Sequence, residues 1–132
     1  MPVFVETLTE PSPQDLVDLA KIFADAPAWL LAPHNDAEAL IQTALADGSL
    51  IAGRFNDRLL GAALLRRDTQ RWRLSHLCVR KITRRRGVGK RIIDEARRLA
   101  AEAERELHLA APPEQLETQA LAARMHLTLV PL

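Results

Sequence analysis

The 132-residue sequence predicts a single α/β domain of the α+β kind, built on a mixed, mostly antiparallel sheet flanked by helices. Three observations carry that expectation. Hydrophobic residues make up 48% and charged residues 27%, enough to build one core without disulfides. Three consecutive strand-like segments lie between Leu50 and Val79, joined by polar turns. A long amphipathic stripe follows, and then a short strand, a helix and a last strand.

Each element has a local reason. Val3 to Leu8 alternates loosely and reads as a first strand. Ser12-Pro13-Gln14-Asp15 is a helix start, with Ser12 as N-cap and Pro13 at the first helical position. Leu16, Leu19, Ala20 and Phe23 then form the expected buried stripe of a helix that runs to about Asp25 and is stopped by Pro27. Asn35, with Glu38 completing a capping box, opens a second helix through Leu40, Ile41, Ala44 and Leu45, and Gly48 closes it. Leu50–Arg54 and Leu59–Arg67 are strands around the turn Phe55-Asn56-Asp57-Arg58, with a bulge expected at Gly61. In the third strand, Trp72, Leu74, His76 and Cys78 are expected on one face and Arg73, Ser75, Leu77 and Val79 on the other. A helix opens at Gly87, striped by Val88, Ile92, Ala96, Leu99 and Ala103. Leu107–Ala111 is a strand ended by Pro112-Pro113, Glu114–Met125 a helix, and Leu127–Val130 a last strand, giving one strand–helix–strand crossover. Trp29, Leu30 and Leu31 are expected to pack onto the sheet or to cap a cleft.

Composition narrows the function classes. Eighteen Lys+Arg against seventeen Asp+Glu leave a net charge of +1, against bulk-charge coating of nucleic acid. Cys78 is the only cysteine, so no internal disulfide forms, which fits a reducing compartment. The four histidines stand far apart without metal-ligand spacing, so no metal is expected. Residues 1–13 carry no leader pattern, and no apolar run approaches the ~18 residues of a membrane span. The expectation is a small cytoplasmic domain with no membrane partner.

The chemistry concentrates in Arg84-Arg85-Arg86-Gly87-Val88-Gly89-Lys90. The first turn of a helix leaves its backbone N–H groups unpaired at the positive end of the dipole. Gly87 and Gly89 leave that backbone bare for a phosphate, and the arginines add positive charge suited to a pyrophosphate. Arg80, Lys81, Lys90 and Arg91 reinforce it, placing seven of eighteen basic residues within twelve positions. Neither a P-loop nor the three-glycine dinucleotide fingerprint is present.

Arg-x-x-Gly-x-Gly after the third strand of a meander resembles the acyl-CoA-binding motif of the Gcn5-related N-acetyltransferase (GNAT) fold. The resemblance implies a GNAT-like sheet, with acetyl-CoA or CoA as cofactor. The CoA pyrophosphate would lie on Arg84, Arg85, Arg86, Gly87, Val88, Gly89 and Lys90, and the pantetheine arm would pair with Leu77, Cys78 and Val79. Arg54-Phe55-Asn56 joined to Thr83-Arg84-Arg85-Arg86-Gly87-Val88-Gly89 is similar to a narrower branch of that family. Members of this branch bind acetyl-CoA and promote self-cleavage of the aspartate 1-decarboxylase proenzyme, linking CoA levels to pantothenate synthesis. This likeness runs from about Ile51 to Glu95, and it implies a partner surface at Arg54, Asn56 and Arg84.

The resemblance leaves two activities open. An acetyltransferase needs a base for its amine and often a tyrosine for the leaving thiolate. This chain has no tyrosine, which favours a CoA-responsive regulator over an N-acetyltransferase acting on an unidentified amine. His76, on the strand beside the expected thioester, is the candidate base; Glu117, on the last helix, reads as a solvated surface carboxylate, and Cys78 as a buried inert thiol. A nucleic-acid role for Arg80–Arg91 is disfavoured, since no aromatic residue follows Trp72 to stack bases.

Overall fold

Alternating apolar residues around short polar turns set up the centre of the computed structural model, which describes residues 2–84 and 86–132. β1 (Phe4–Thr7), β2 (Leu50–Phe55), β3 (Arg58–Arg67) and β4 (Arg71–Val79) are antiparallel neighbours. β5 (Glu106–Ala110) and β6 (Thr128–Val130) complete a six-stranded sheet in the order β1-β2-β3-β4-β5-β6. Both β5 and β6 pair in parallel with their predecessors, so the chain makes two strand–helix–strand crossovers rather than the single one expected. The helices are α1 (Pro13–Ala24), α2 (Ala28–Leu31), α3 (Ala37–Asp47), α4 (Val88–Glu102) and α5 (Leu116–Met125).

The sheet has a core on each face. On one, Val88, Ile92, Ile93, Ala96 and Ala100 of α4 and Ala122 of α5 pack over Ile51, Ala63, Leu65, Leu74, Leu107 and Leu109. On the other, Leu19, Ile22 and Phe23 of α1 and Leu40, Ile41 and Ala44 of α3 cover Leu50, Ala52, Leu59, Ala62, Leu64 and Cys78. Each large aliphatic side chain removed from water here is worth roughly 1.5–3 kcal/mol.

Three expectations are corrected. The buried stripe of α1 is Asp15, Asp18, Leu19, Ile22 and Phe23, while Leu16 and Ala20 face outward. Two acids can face inward because Arg54 and Arg58 reach across from the β2–β3 hairpin to meet them. The N-cap of α3 is Asp36, whose Oδ1 accepts from the Ala39 amide at 2.8 Å, and not Asn35. The strict alternation expected along β4 fails at His76, where Ala62 pairs with Cys78 but Leu64 with Ser75. His76 takes φ +56 and adds one residue to β4, so Leu74 and Cys78 end in opposite cores. The slip between β2 and β3 falls one residue from the expected Gly61, which pairs with Gly53, and leaves Leu60 as the extra residue. The cap at Ser12, with a reciprocal Asp15 bond, and the αL closure at Gly48 match the sequence reading.

Candidate functional site at the open ends of strands 4 and 5

The close seating of α4 on the sheet begins with two glycines. Gly53 and Gly61 face each other across β2 and β3. A Cβ at Gly61 would lie 2.9 Å from Val88 Cγ1, and one at Gly53 3.0 Å from Val3 Cγ1. Their bare backbones let the first turn of α4 descend onto the strands.

The chain reaches that turn through a tight basic segment. The Arg80 amide donates to Leu60 O, and Lys81–Thr83 forms a 3₁₀ turn in which Thr83, buried, donates its hydroxyl to Arg80 O. Gly87, at φ +84, turns the backbone into α4, and among the described residues no side chain caps it. The Arg91 amide makes the first intrahelical bond, to Gly87 O at 2.9 Å, so the Val88, Gly89 and Lys90 amides precede the ladder. The space beside Gly87 is open, and a Cβ at Gly89 would lie 3.6 Å from Val79 Cγ2 and 3.8 Å from Leu77 Cδ2. The helix start therefore presents uncovered backbone donors next to the end of β4, which fits a bound pyrophosphate.

A cleft of about 610 Å³ opens beside it. Pairing of β4 with β5 ends at Leu74–Leu109, while β4 runs on to Val79. Leu77 and Val79 line one side of the gap, Ala110, Ala111 and Leu121 the other, and Trp29 and Leu30 form a further wall. The β4 backbone beyond Leu74 thus has an edge not taken by β5, suited to pairing with an extended amide-containing ligand.

Electrostatics at the mouth centre on Asp25, the C-cap of α1. Its Oδ2 accepts from the Lys81 amide at 3.0 Å and from Arg80 Nε at 3.4 Å. The Lys81 amide first, and then the Arg80 guanidinium, hold its carboxyl below the usual range. Arg84 donates from Nε to Val79 O and from Nη2 to Asp25 O, both at 3.2 Å. Those acceptors are neutral carbonyls, so Arg84 carries its full charge to the cleft it lines. Lys90 pairs with Asp94 at 2.6 Å.

Not every predicted residue faces the cleft in the same way. Leu77, Cys78, Val79 and Arg84 line the cleft; Gly89 sits against Val79 and Leu77, but none of Arg86–Lys90 lines the cleft itself, Arg86 is exposed, and Arg85 lies outside the described residues. The Cys78 thiol turns toward α1 and donates to Ile22 O at 3.3 Å; burial raises its pKa, so only its backbone is suited to a ligand. His76 is buried, its Nε2 lies 2.8 Å from Ala32 O and its Nδ1 2.8 Å from Ser75 Oγ. The carbonyl requires Nε2–H as donor, leaving Nδ1 to accept from the serine hydroxyl. Burial lowers the His76 pKa and keeps that neutral form, but both ring nitrogens are engaged. Glu117 lines the far side of the cleft, exposed.

Arg54 and Asn56 lie at the same end of the sheet, on the β2–β3 hairpin. Asn56 is exposed at φ +48 and Asp57 follows at φ +67, a two-residue turn of the type that suits a twisted hairpin. Arg54 pairs with Asp15 and Glu6, each at 3.0 Å, and also donates to Asp57 O. Sequence reasoning missed Asp25, although a carboxylate at a helix C-terminus opposes the dipole and so signals a partner elsewhere. It also missed the β5 and α5 lining, which only the crossover brings to the site. Among the described residues no group of acidic, His or Cys side chains is arranged to hold a metal, and no helix is long and apolar enough to cross a membrane.

The family described as "Acetyltransferase (GNAT) domain, PanZ" matches residues 2–129. The chain belongs to the PanZ family. The match extends well beyond the central third that carries the motif likeness. The PanD regulatory factor of Salmonella typhimurium (strain LT2) is 37% identical over 84 residues, covering 64% of this chain and 58% of that protein. The PanD regulatory factor of Escherichia coli K12 is 35% identical over 88 residues, covering 66% and 60%. The aligned part thus spans less than two-thirds of those relatives. Among solved structures, the PaiA N-acetyltransferase of Thermoplasma acidophilum, in complex with coenzyme A, superposes with a TM-score of 0.71 at 14% identity, over 95% of this chain and 89% of that one. The ribosomal-protein-alanine N-acetyltransferase of Brucella melitensis gives 0.67 at 19% identity, over 94% and 90%. These two likenesses establish the GNAT fold of this PanZ-family chain.

Proposed function

We propose that this PanZ-family domain binds acetyl-CoA or CoA and, so loaded, docks on the aspartate 1-decarboxylase proenzyme to promote its self-cleavage. The observation that carries this reading is the uncapped start of α4 beside the end of β4 that β5 leaves unpaired, which together offer anion donors and a peptide-like edge. The amides of Val88, Gly89 and Lys90 would hold the pyrophosphate, together with Gly87 and the motif residues Arg84, Arg85 and Arg86. The backbone of Leu77, Cys78 and Val79 would pair with the pantetheine amides. Arg54, Asn56 and Arg84 would form the partner surface, with Arg54 acting through the hairpin it braces. The names of the Salmonella and Escherichia relatives support the partner's identity.

The test is intact-mass spectrometry of the proenzyme from the same genome, incubated with this protein with and without acetyl-CoA. Two cleaved chains that appear only with acetyl-CoA are expected. An uncut proenzyme in the presence of ligand-loaded protein would refute the regulatory role while leaving coenzyme binding intact.

N-acetylation of an amine is the second reading, favoured by the exposed Glu117 carboxylate on the cleft wall, which could attract a cation. It predicts release of free thiol from acetyl-CoA on addition of an amine. Silence across a broad amine panel would remove it.

A further inference from the structure

The wall of the cleft formed by α2 is joined to the sheet in an economical way. Residues 27–34 carry Trp29 and Leu30 along the cleft, and Leu30 and Leu31 rest on the α1–α3 core. Among the described residues, the one hydrogen bond from this segment to a strand is the 2.8 Å contact of His76 Nε2 with Ala32 O. His76 is the bulge residue of β4, placed where the strand separates from β5 and one step further along β4 than Leu77 and Val79, the two side chains nearest Gly89 of α4. Its ring is fixed twice more, by Ser75 Oγ on Nδ1 and by the edge of His34, with ring centroids 5.4 Å apart. A ligand whose phosphates sit at Gly87–Lys90 and whose arm follows Val79 to Leu77 brings its thioester end to this position.

We propose that His76 is a positioning residue for acyl-group size: by pinning Ala32 to the bulge, it holds the Trp29–Leu30 wall against the thioester end and restricts the cleft to short acyl chains. The inference rests on the acyl-CoA reading above. It gives His76 a role that requires no proton transfer, consistent with the engagement of both ring nitrogens.

The experiment is calorimetric titration of CoA, acetyl-CoA and butyryl-CoA into the parent chain and into His76→Ala, His76→Gln and Trp29→Ala. Extra methylenes against a fixed apolar wall cost about tenfold or more in discrimination. The parent should therefore prefer acetyl- over butyryl-CoA by about that factor. His76→Ala should lose the preference while CoA itself binds within about threefold of the parent, since the coenzyme contacts are elsewhere. His76→Gln, whose amide can donate to Ala32 O, should restore it. Trp29→Ala keeps the tether but removes wall bulk, and should also lose it, which preserves the test if His76→Ala does not fold. An unchanged acetyl-to-butyryl ratio in His76→Ala or Trp29→Ala would overturn the proposal with coenzyme binding still standing. Absence of CoA binding in the parent would overturn both readings together.

Discussion

Two basic regions sit at the same end of the sheet, yet their arginines do different work. On the β2–β3 hairpin, Arg54 meets Asp15 and Glu6, and Arg58 grips Asp18 at 2.6 Å. Asp18 is buried and also accepts from Gln14 and from the Leu59 amide at 3.1 Å. In the segment leading into α4, Arg84 rests on two backbone carbonyls, and the helix start is built of glycine and bare amides. The hairpin arginines are spent on holding α1 to the sheet, whereas beside α4, where Arg80 and Lys90 have exposed or half-buried carboxylate partners, Arg84 keeps its charge directed at the cleft. A run of arginines is available to a ligand only where no buried carboxylate has already answered it.

The largest effect should come from breaking the hairpin end. Asp18→Ala removes the acceptor of Arg58 and leaves the buried Leu59 amide unpaired, so a loss of about 3 kcal/mol is expected in urea denaturation. A loss below about 1 kcal/mol would mean the ion pair is no firmer than an ordinary surface one. Gly61→Ala should follow, at roughly 2 kcal/mol, because its Cβ would press on Val88 and Ile92. Since that pressure lifts the start of α4, coenzyme affinity should fall with stability, and unchanged affinity would detach the helix seat from the site.

Acid should loosen the hairpin end in a defined window. Burial raises the Asp18 pKa, but Arg58, the Leu59 amide and Gln14 outweigh it and bring the carboxyl to about 2. Asp15 is lowered too, chiefly by Arg54. Unfolded aspartates titrate near ~4, so this stabilisation is fully present above that pH and is lost as pH falls toward about 2. Denaturation midpoints measured from pH 5 downward should show the decline, and Asp18→Ala should flatten it. The smallest effect belongs to Arg84→Ala, which should change stability by no more than about 0.5 kcal/mol while weakening coenzyme binding. A stability loss matching that of Asp18→Ala would erase the contrast between the two regions.

The glycines and the long stripe after them were legible because their signals are local. Gly87 and Gly89 could be read as a bare helix start, and Val88, Ile92 and Ala96 as the face that seats it. The bulge at His76 was not legible: no glycine or proline marks it, and period-two alternation runs straight through it. Only the demand that Leu74 and Cys78 enter opposite cores makes it necessary. The burial of Asp15 and Asp18 was not legible for a related reason, since it depends on arginines some forty residues away being brought over them.

By itself, the sequence determined the succession of strands and helices except the short α2, the mixed sheet, and the anion-suited turn at the start of α4, because caps, periodicity and glycine act within a few residues. Tertiary structure decided where β4 parts from β5, which arginines are neutralised, and which face His76 presents. Those outcomes depend on distant segments meeting, Ala32 with His76 and Asp25 with Lys81 and Arg84, and no local rule encodes which partner a buried polar group will find.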